Sequence, residues 1–114
     1  MLLKNIYEKA VLSGTNMPPV QFVAAFNLFT DYLLMRYGEK FVLKPSTVYA
    51  EAATTEEDVP VRDSYAPAYV DYIMGIAQGN EAKASDAVAK ADFAFRAEWR
   101  KAVKGKRIRK ERWY

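Results

Sequence analysis

Between Pro18-Pro19 and Gly38 lies a run whose apolar residues go almost all the way round a helix. Phe22, Val23, Ala24, Ala25, Phe26, Leu28, Phe29, Tyr32, Leu33, Leu34 and Met35 leave no continuous polar face. The paired prolines suit a first helical turn, where no N–H is needed, and Gly38 suits the stop. Thr15 or Asn16 is the expected cap. A helix that is apolar all round is buried on several sides, and a 114-residue chain has little material to enclose it. Two readings follow: part of the helix meets another subunit, or it is a central core helix with some surface aromatics. Phe22, Phe26, Phe29 and Leu33 advance by three or four and form one stripe, while Val23, Leu34 and their neighbours form another. One stripe is expected to face the core and the other a neighbour, with Phe22, Phe26, Phe29 and Leu33 as the expected subunit interface. Gln21, Asn27, Asp31 and Arg36 interrupt the run, which argues against a membrane span.

Three further helices are predicted, giving an all-α fold, a small bundle of about four helices. The first spans about Leu2 to Leu12, with Leu3, Ile6, Tyr7, Ala10 and Val11 on one face and Ser13-Gly14 as its stop. Residues 39–63 lose the helical period. Within this long connection Phe41-Val42-Leu43 and Val48-Tyr49-Ala50 are candidates for a short β-hairpin around Lys44-Pro45-Ser46, and Glu51 to Asp63 is an acidic loop. The third helix begins near Ser64 or Tyr65 and ends at Gln78-Gly79, with Tyr65, Tyr69, Tyr72, Ile73 and Ile76 as its stripe. Asn80 caps the fourth, which runs from Glu81 to about Val103 before Gly105. Its stripe is Ala84, Ala87, Val88, Ala91, Phe95, Trp99 and Ala102, with Phe95 and Trp99 expected as core anchors near Tyr69, Ile73 or Ile76. The short Gly79-Asn80 link makes these two helices an antiparallel hairpin.

Charge is divided unevenly. Residues 96–114 hold nine basic and two acidic side chains, a net of +7, and the remainder holds eight basic and twelve acidic, a net of −4. The expected organisation is a helical domain, 1–103, and a basic tail, 104–114. A basic end on an acidic body suits phosphates, an acidic protein surface, or the negative end of the helix dipole. The expected partner- or nucleic-acid-binding residues are Arg100, Lys104, Lys106, Arg107, Arg109, Lys110, Arg112, Trp113 and Tyr114. The last two follow a charged run, where nothing local buries them, and aromatics beside arginines are typical interface anchors.

Catalytic chemistry has little to work with. The chain has no cysteine and no histidine, which removes disulfides, thiolate ligands and the commonest general base. Ser13, Ser46, Ser64 and Ser85 have no base to activate them, and the glycines fall in no phosphate-binding pattern. Glu56, Glu57, Asp58 and Asp63 lack the alternating ligands and central glycine of a calcium loop, so a solvated acidic loop is expected. Asp71 and Asp92 are expected to pair with Arg96 or Arg100, since Asp92 and Arg96 stand four apart on one helix. No catalytic residue, metal or cofactor is expected, and the chain reads as a non-enzyme. Residues Met1 to Glu8 have neither a long apolar core nor a cleavage signal, so a soluble, intracellular protein is expected.

The segment Ala66-Pro67-Ala68-Tyr69-Val70-Asp71-Tyr72-Ile73-Met74, the turn Gln78-Gly79-Asn80-Glu81-Ala82 and the helix ending Phe95-Arg96-Ala97-Glu98-Trp99-Arg100 resemble the head-to-tail connector (adaptor) proteins of tailed bacteriophages and prophages. The resemblance covers residues 64–103 best and the N-terminal half by organisation alone. The richly aromatic second helix departs from it. It implies a helical structural subunit that forms a ring under the portal, around the channel through which DNA passes. The implied partners are further copies of the chain, portal or tail proteins, and DNA near the basic residues. The implied location is the virion, or the host cytoplasm before assembly, with no membrane. The alternative is a small helical nucleic-acid-binding or regulatory protein that uses its basic C-terminal segment.

Overall fold

The structure, a computed structural model, describes residues 1–12, 14, 17–38 and 52–110, the last ten of these as backbone only. Among the described residues there are four α-helices: α1 (Leu3–Leu12), α2 (Pro19–Tyr37), α3 (Ala66–Gln78) and α4 (Glu81–Lys110). A 3-10 turn, Asp63–Tyr65, leads into α3. The candidate strands at 41–43 and 48–50 lie outside the described residues.

The central helix is α3, and α1, α2 and α4 each pack against it. Its composition explains the position: Ala68, Tyr69, Ile73, Met74 and Gly75 are all buried, and Pro67 and the last turn reach solvent. Ile76, expected on the buried stripe, is 42 % exposed there. The hairpin with α4 forms as predicted. Gly79 takes a left-handed conformation, φ 63° and ψ 30°, which glycine adopts without steric cost. The Asn80 N–H then donates to the Gly75 carbonyl at 2.8 Å, and the Asn80 side chain accepts from the Ala82 N–H at 3.0 Å, capping α4. The two helices approach closely because small residues face each other. Ala87, Ala91 and Ala94 are the buried seam of α4, and a Cβ on Gly75 would stand 3.0 Å from the Ala84 nitrogen and 3.1 Å from the Asn80 carbonyl.

The core is aromatic. Phe26 stacks on Tyr69 at 4.3 Å, Tyr69 meets Phe29 edge-on at 5.0 Å, and Phe29 stacks on Tyr72 at 4.4 Å. Tyr7 of α1 joins through an edge contact with Phe22 at 5.0 Å, and its hydroxyl donates to the Met17 carbonyl. One polar pair sits in the middle. The buried Thr30 hydroxyl donates to the Phe26 carbonyl at 2.9 Å and lies 2.6 Å from the Tyr69 hydroxyl, from which it then accepts. Both groups are satisfied without water, which removes the cost of burying them.

The chain from 52 onward is fastened at two places. The Asn27 side chain exchanges two hydrogen bonds with the Ala52 backbone, 2.8 Å and 3.0 Å, as a paired strand would. Residues 57–59 form an antiparallel bridge with residues 1–3. There the Met1 ammonium donates to the Val59 and Val61 carbonyls, at 2.8 Å and 3.0 Å, and to Asp58 at 3.1 Å. Asp63 lies 3.7 Å away. This bridge starts α1 at Leu3, one residue later than the pattern suggests.

Three expectations about helix ends and faces need correction. Pro18 holds the cap position of α2 and no side chain caps it; Thr15 and Asn16 lie outside the described residues. The fourth helix does not stop before Gly105 but continues to Lys110. A helical glycine costs only about 1 kcal/mol against alanine, and the lysines and arginines around it are good helix formers. Finally, Phe95 is half-buried and stacks on Tyr37 at 4.3 Å, not on Tyr69, Ile73 or Ile76. Trp99, expected as a core anchor, is 48 % exposed, because the face of α4 that meets α3 carries alanines.

The Thr30–Tyr69 pair is open to a direct test. Thr30→Val takes a hydrogen-bond partner from a buried hydroxyl, and a loss of about 1–3 kcal/mol is expected. Tyr69→Phe removes the donor while Thr30 keeps its bond to Phe26, and about 1 kcal/mol is expected. Urea unfolding of both variants and the double variant should give a double loss smaller than the sum. Strict additivity would show that the two hydroxyls do not interact.

Candidate interaction surface

The four side chains expected at a subunit interface are not on the surface. Phe22, Phe26, Phe29 and Leu33 are each 0 % exposed within the single chain, packed toward α3. The reason is size: the stripe with three phenylalanines is the one that fills the space over α3. Val23 is buried and Leu34 half-buried on the flank. The outward stripe is a third one, Val20, Ala24, Leu28, Tyr32 and Met35, at steps of four, four, four and three. Val20, Leu28, Tyr32 and Met35 are 81 %, 60 %, 43 % and 89 % exposed.

Alongside this stripe runs a groove between α2 and α4. Its floor is the stacked pair Phe29 and Tyr72, one wall is Leu28, Tyr32 and Met35, and the other is Ala84, Ser85 and Val88. The open volume is about 650 Å³. Small residues on α4 make room for it. Asp31 and Glu81 line the groove, and among the described residues no cation does. A second depression, about 760 Å³, lies over the N-terminal bridge. Its carboxylates, Asp58 and Asp63, already face the Met1 ammonium.

An ion pair joins α2 and α4 next to the groove. Arg36 donates two bonds to the Asp92 carboxylate, 2.8 Å from Nε and 2.7 Å from its terminal nitrogen. The Tyr37 hydroxyl donates to the same carboxylate, and the Tyr37 ring lies flat on Phe95. Asp92 thus takes Arg36 as its carboxylate partner, not Arg96, whose Nε donates to the Asp92 backbone carbonyl at 3.3 Å. Asp71 pairs with Lys90 across the hairpin at 2.6 Å. Arg100, the one predicted tail contact whose side chain is described, is exposed on α4. Lys104, Lys106, Arg107, Arg109 and Lys110 continue that helix as backbone, and Arg112, Trp113 and Tyr114 lie outside the described residues.

The electrostatics are structural in character. The Arg36 hydrogen bonds are the largest cause of a lowered Asp92 pKa, and the same contact raises that of Arg36. Burial raises the phenol of Tyr37, with Asp92 adding to it, and burial raises that of Tyr72. Tyr65 is pushed up to about 12, by burial first and then by Glu98. All three phenols are neutral at pH 7 and poorly suited to act as bases. In the acidic loop, Glu57 accepts from the Ala53 and Thr54 N–H groups. Among the described residues no three acidic side chains come together as a metal site, and no helix is long and apolar enough to cross a membrane. No protein-family model, curated protein or solved structure matches this chain.

The Asp92 shift sets a pH dependence. Folding lowers this pKa, so its contribution is present above the ordinary aspartate value of about 3.9 and disappears as pH falls through the folded value. Asp92→Asn is expected to melt below the wild type at about pH 7 and to converge with it toward about pH 2. A melting gap that stays constant over this range would rule out the carboxylate charge as its cause.

Proposed function

We propose that this chain is a self-assembling structural subunit, and specifically a head-to-tail connector (adaptor) of a tailed bacteriophage or prophage, non-enzymatic, ringed under the portal around the DNA channel. The observation that carries the reading is the outward stripe of α2. Leu28, Tyr32 and Met35 stay exposed after the chain has completed its own core. Contiguous apolar surface of this kind marks an interaction site, and a ring subunit needs such surface beyond its core. The basic run along the distal part of α4 supports a second contact, to a portal or tail protein or to DNA. The resemblance of residues 64–103 to the connector hairpin adds to this reading.

Sedimentation of the purified chain over a hundredfold range of concentration, with negative-stain imaging of the largest species, tests it. Concentration-dependent growth to closed rings is the expected result. A monomer or dimer that binds duplex DNA with strong salt dependence would overturn it in favour of a nucleic-acid-binding protein.

A further inference from the structure

We infer that the groove between α2 and α4 receives the basic, aromatic C-terminal segment of a second copy of this chain. The inference deepens the self-assembly reading and rests on it. Three observations select this occupant. The groove is apolar and floored by the Phe29–Tyr72 stack, so it accepts flat or branched apolar side chains. Among the described residues its charged lining is Asp31 and Glu81. The segment Lys104 to Tyr114 carries the matching chemistry, with Ile108, Trp113 and Tyr114 set among lysines and arginines.

Geometry then decides between the chain's own segment and a neighbour's. Helix α4 is a wall of the groove at Ala84 to Val88 and runs on to Lys110. From Val88 to Lys110 it rises about 33 Å, away from the groove. Residues 111–114 reach at most about 14 Å beyond Lys110, so Trp113 and Tyr114 do not return to the groove of their own chain. A groove at one end of a helix and a complementary segment at the other define a head-to-tail contact. Repeated from copy to copy, such a contact closes into a ring or continues as a chain.

Complementation between two full-length variants provides the test. Leu28→Lys with Met35→Lys disables the groove at exposed positions, and Trp113→Ser with Tyr114→Ser disables the segment. Circular dichroism melting first establishes that both fold as the intact chain does. Each variant alone is expected to lose self-association by at least tenfold in dissociation constant, measured by sedimentation velocity. Their equimolar mixture is expected to form a capped pair, since it contains one intact groove and one intact segment. The inference is overturned if either variant assembles like the intact chain, if the mixture forms no pair, or if the intact chain stays monomeric. Rings from the groove variant would sink this inference and leave the connector reading standing. Complementation with open chains and no ring from the intact protein would do the reverse.

Discussion

Tyr69 joins the two halves of this chain. Its ring lies against Phe26 and Phe29 of α2, and its hydroxyl meets Thr30 on the same helix. It sits on α3, against which α1, α2 and α4 each pack. The rings contribute most of the attraction, since buried aromatics carry large apolar areas and gain further from stacked and edge-on geometry. The hydroxyl pair contributes less energy and more definition. A slide of α2 along α3 would keep apolar contact but break a bond made in a water-free site, where an unmatched hydroxyl is expensive. The register of α2 on α3 therefore fixes which stripe of α2 is left outside.

That register has consequences in and beside the groove. With Phe26 and Phe29 inward, Arg36 and Tyr37 come round to meet Asp92, and the C-terminal end of α2 is tied to α4. Toward the N-terminal side of that tie, Leu28, Tyr32 and Met35 face Ala84, Ser85 and Val88, which are too small to close the gap. The groove is thus produced by a mismatch in side-chain size between two helices that share α3 as a base. Exposed ion pairs contribute little to stability. The value of Arg36–Asp92 is geometric, because it ties α2 to α4 next to the groove.

The helices and the hairpin were legible in the sequence because their signals are local. Pro18-Pro19, Gly38, Gly79 and Asn80 mark ends by backbone chemistry, and three- and four-residue steps mark the elements between them. The direction of α2 was not legible. Where every face is apolar, periodicity has no contrast, and it does not separate the core stripe from an interface stripe. A usable signal did exist: three phenylalanines on one stripe carry more buried area than the mixed stripe of Val20, Leu28, Tyr32 and Met35, and the larger stripe goes inward. Partners distant in the chain were equally hidden. Asp92 finds Arg36 and Asn27 finds Ala52 only after folding brings them together, whereas the sequence offered Arg96 at the nearest helical spacing. The end of α4 lies beyond Gly105 because a single glycine is a weak stop. Without a following proline or a left-handed turn, its cost is smaller than the propensity of the basic residues around it.

The continuation of α4 changes what the basic residues can do. A run of cations after a helix stop would be a tether, able to sample a wide volume and to return to its own domain. A run of residues on a helix is carried at a set distance and direction. The acidic and apolar lining of the groove lies beside the N-terminal half of α4, and nine of the seventeen lysines and arginines lie at or beyond Arg96. Charge self-neutralisation within one copy is then limited by the rigidity of the helix that separates the two regions. The opposite charges of one copy are best matched on another copy, or on a polyanion. A two-fold contact between identical apolar stripes would leave both charged regions unmatched. A head-to-tail contact matches one to the other at every junction, which makes it the more complementary of the two arrangements.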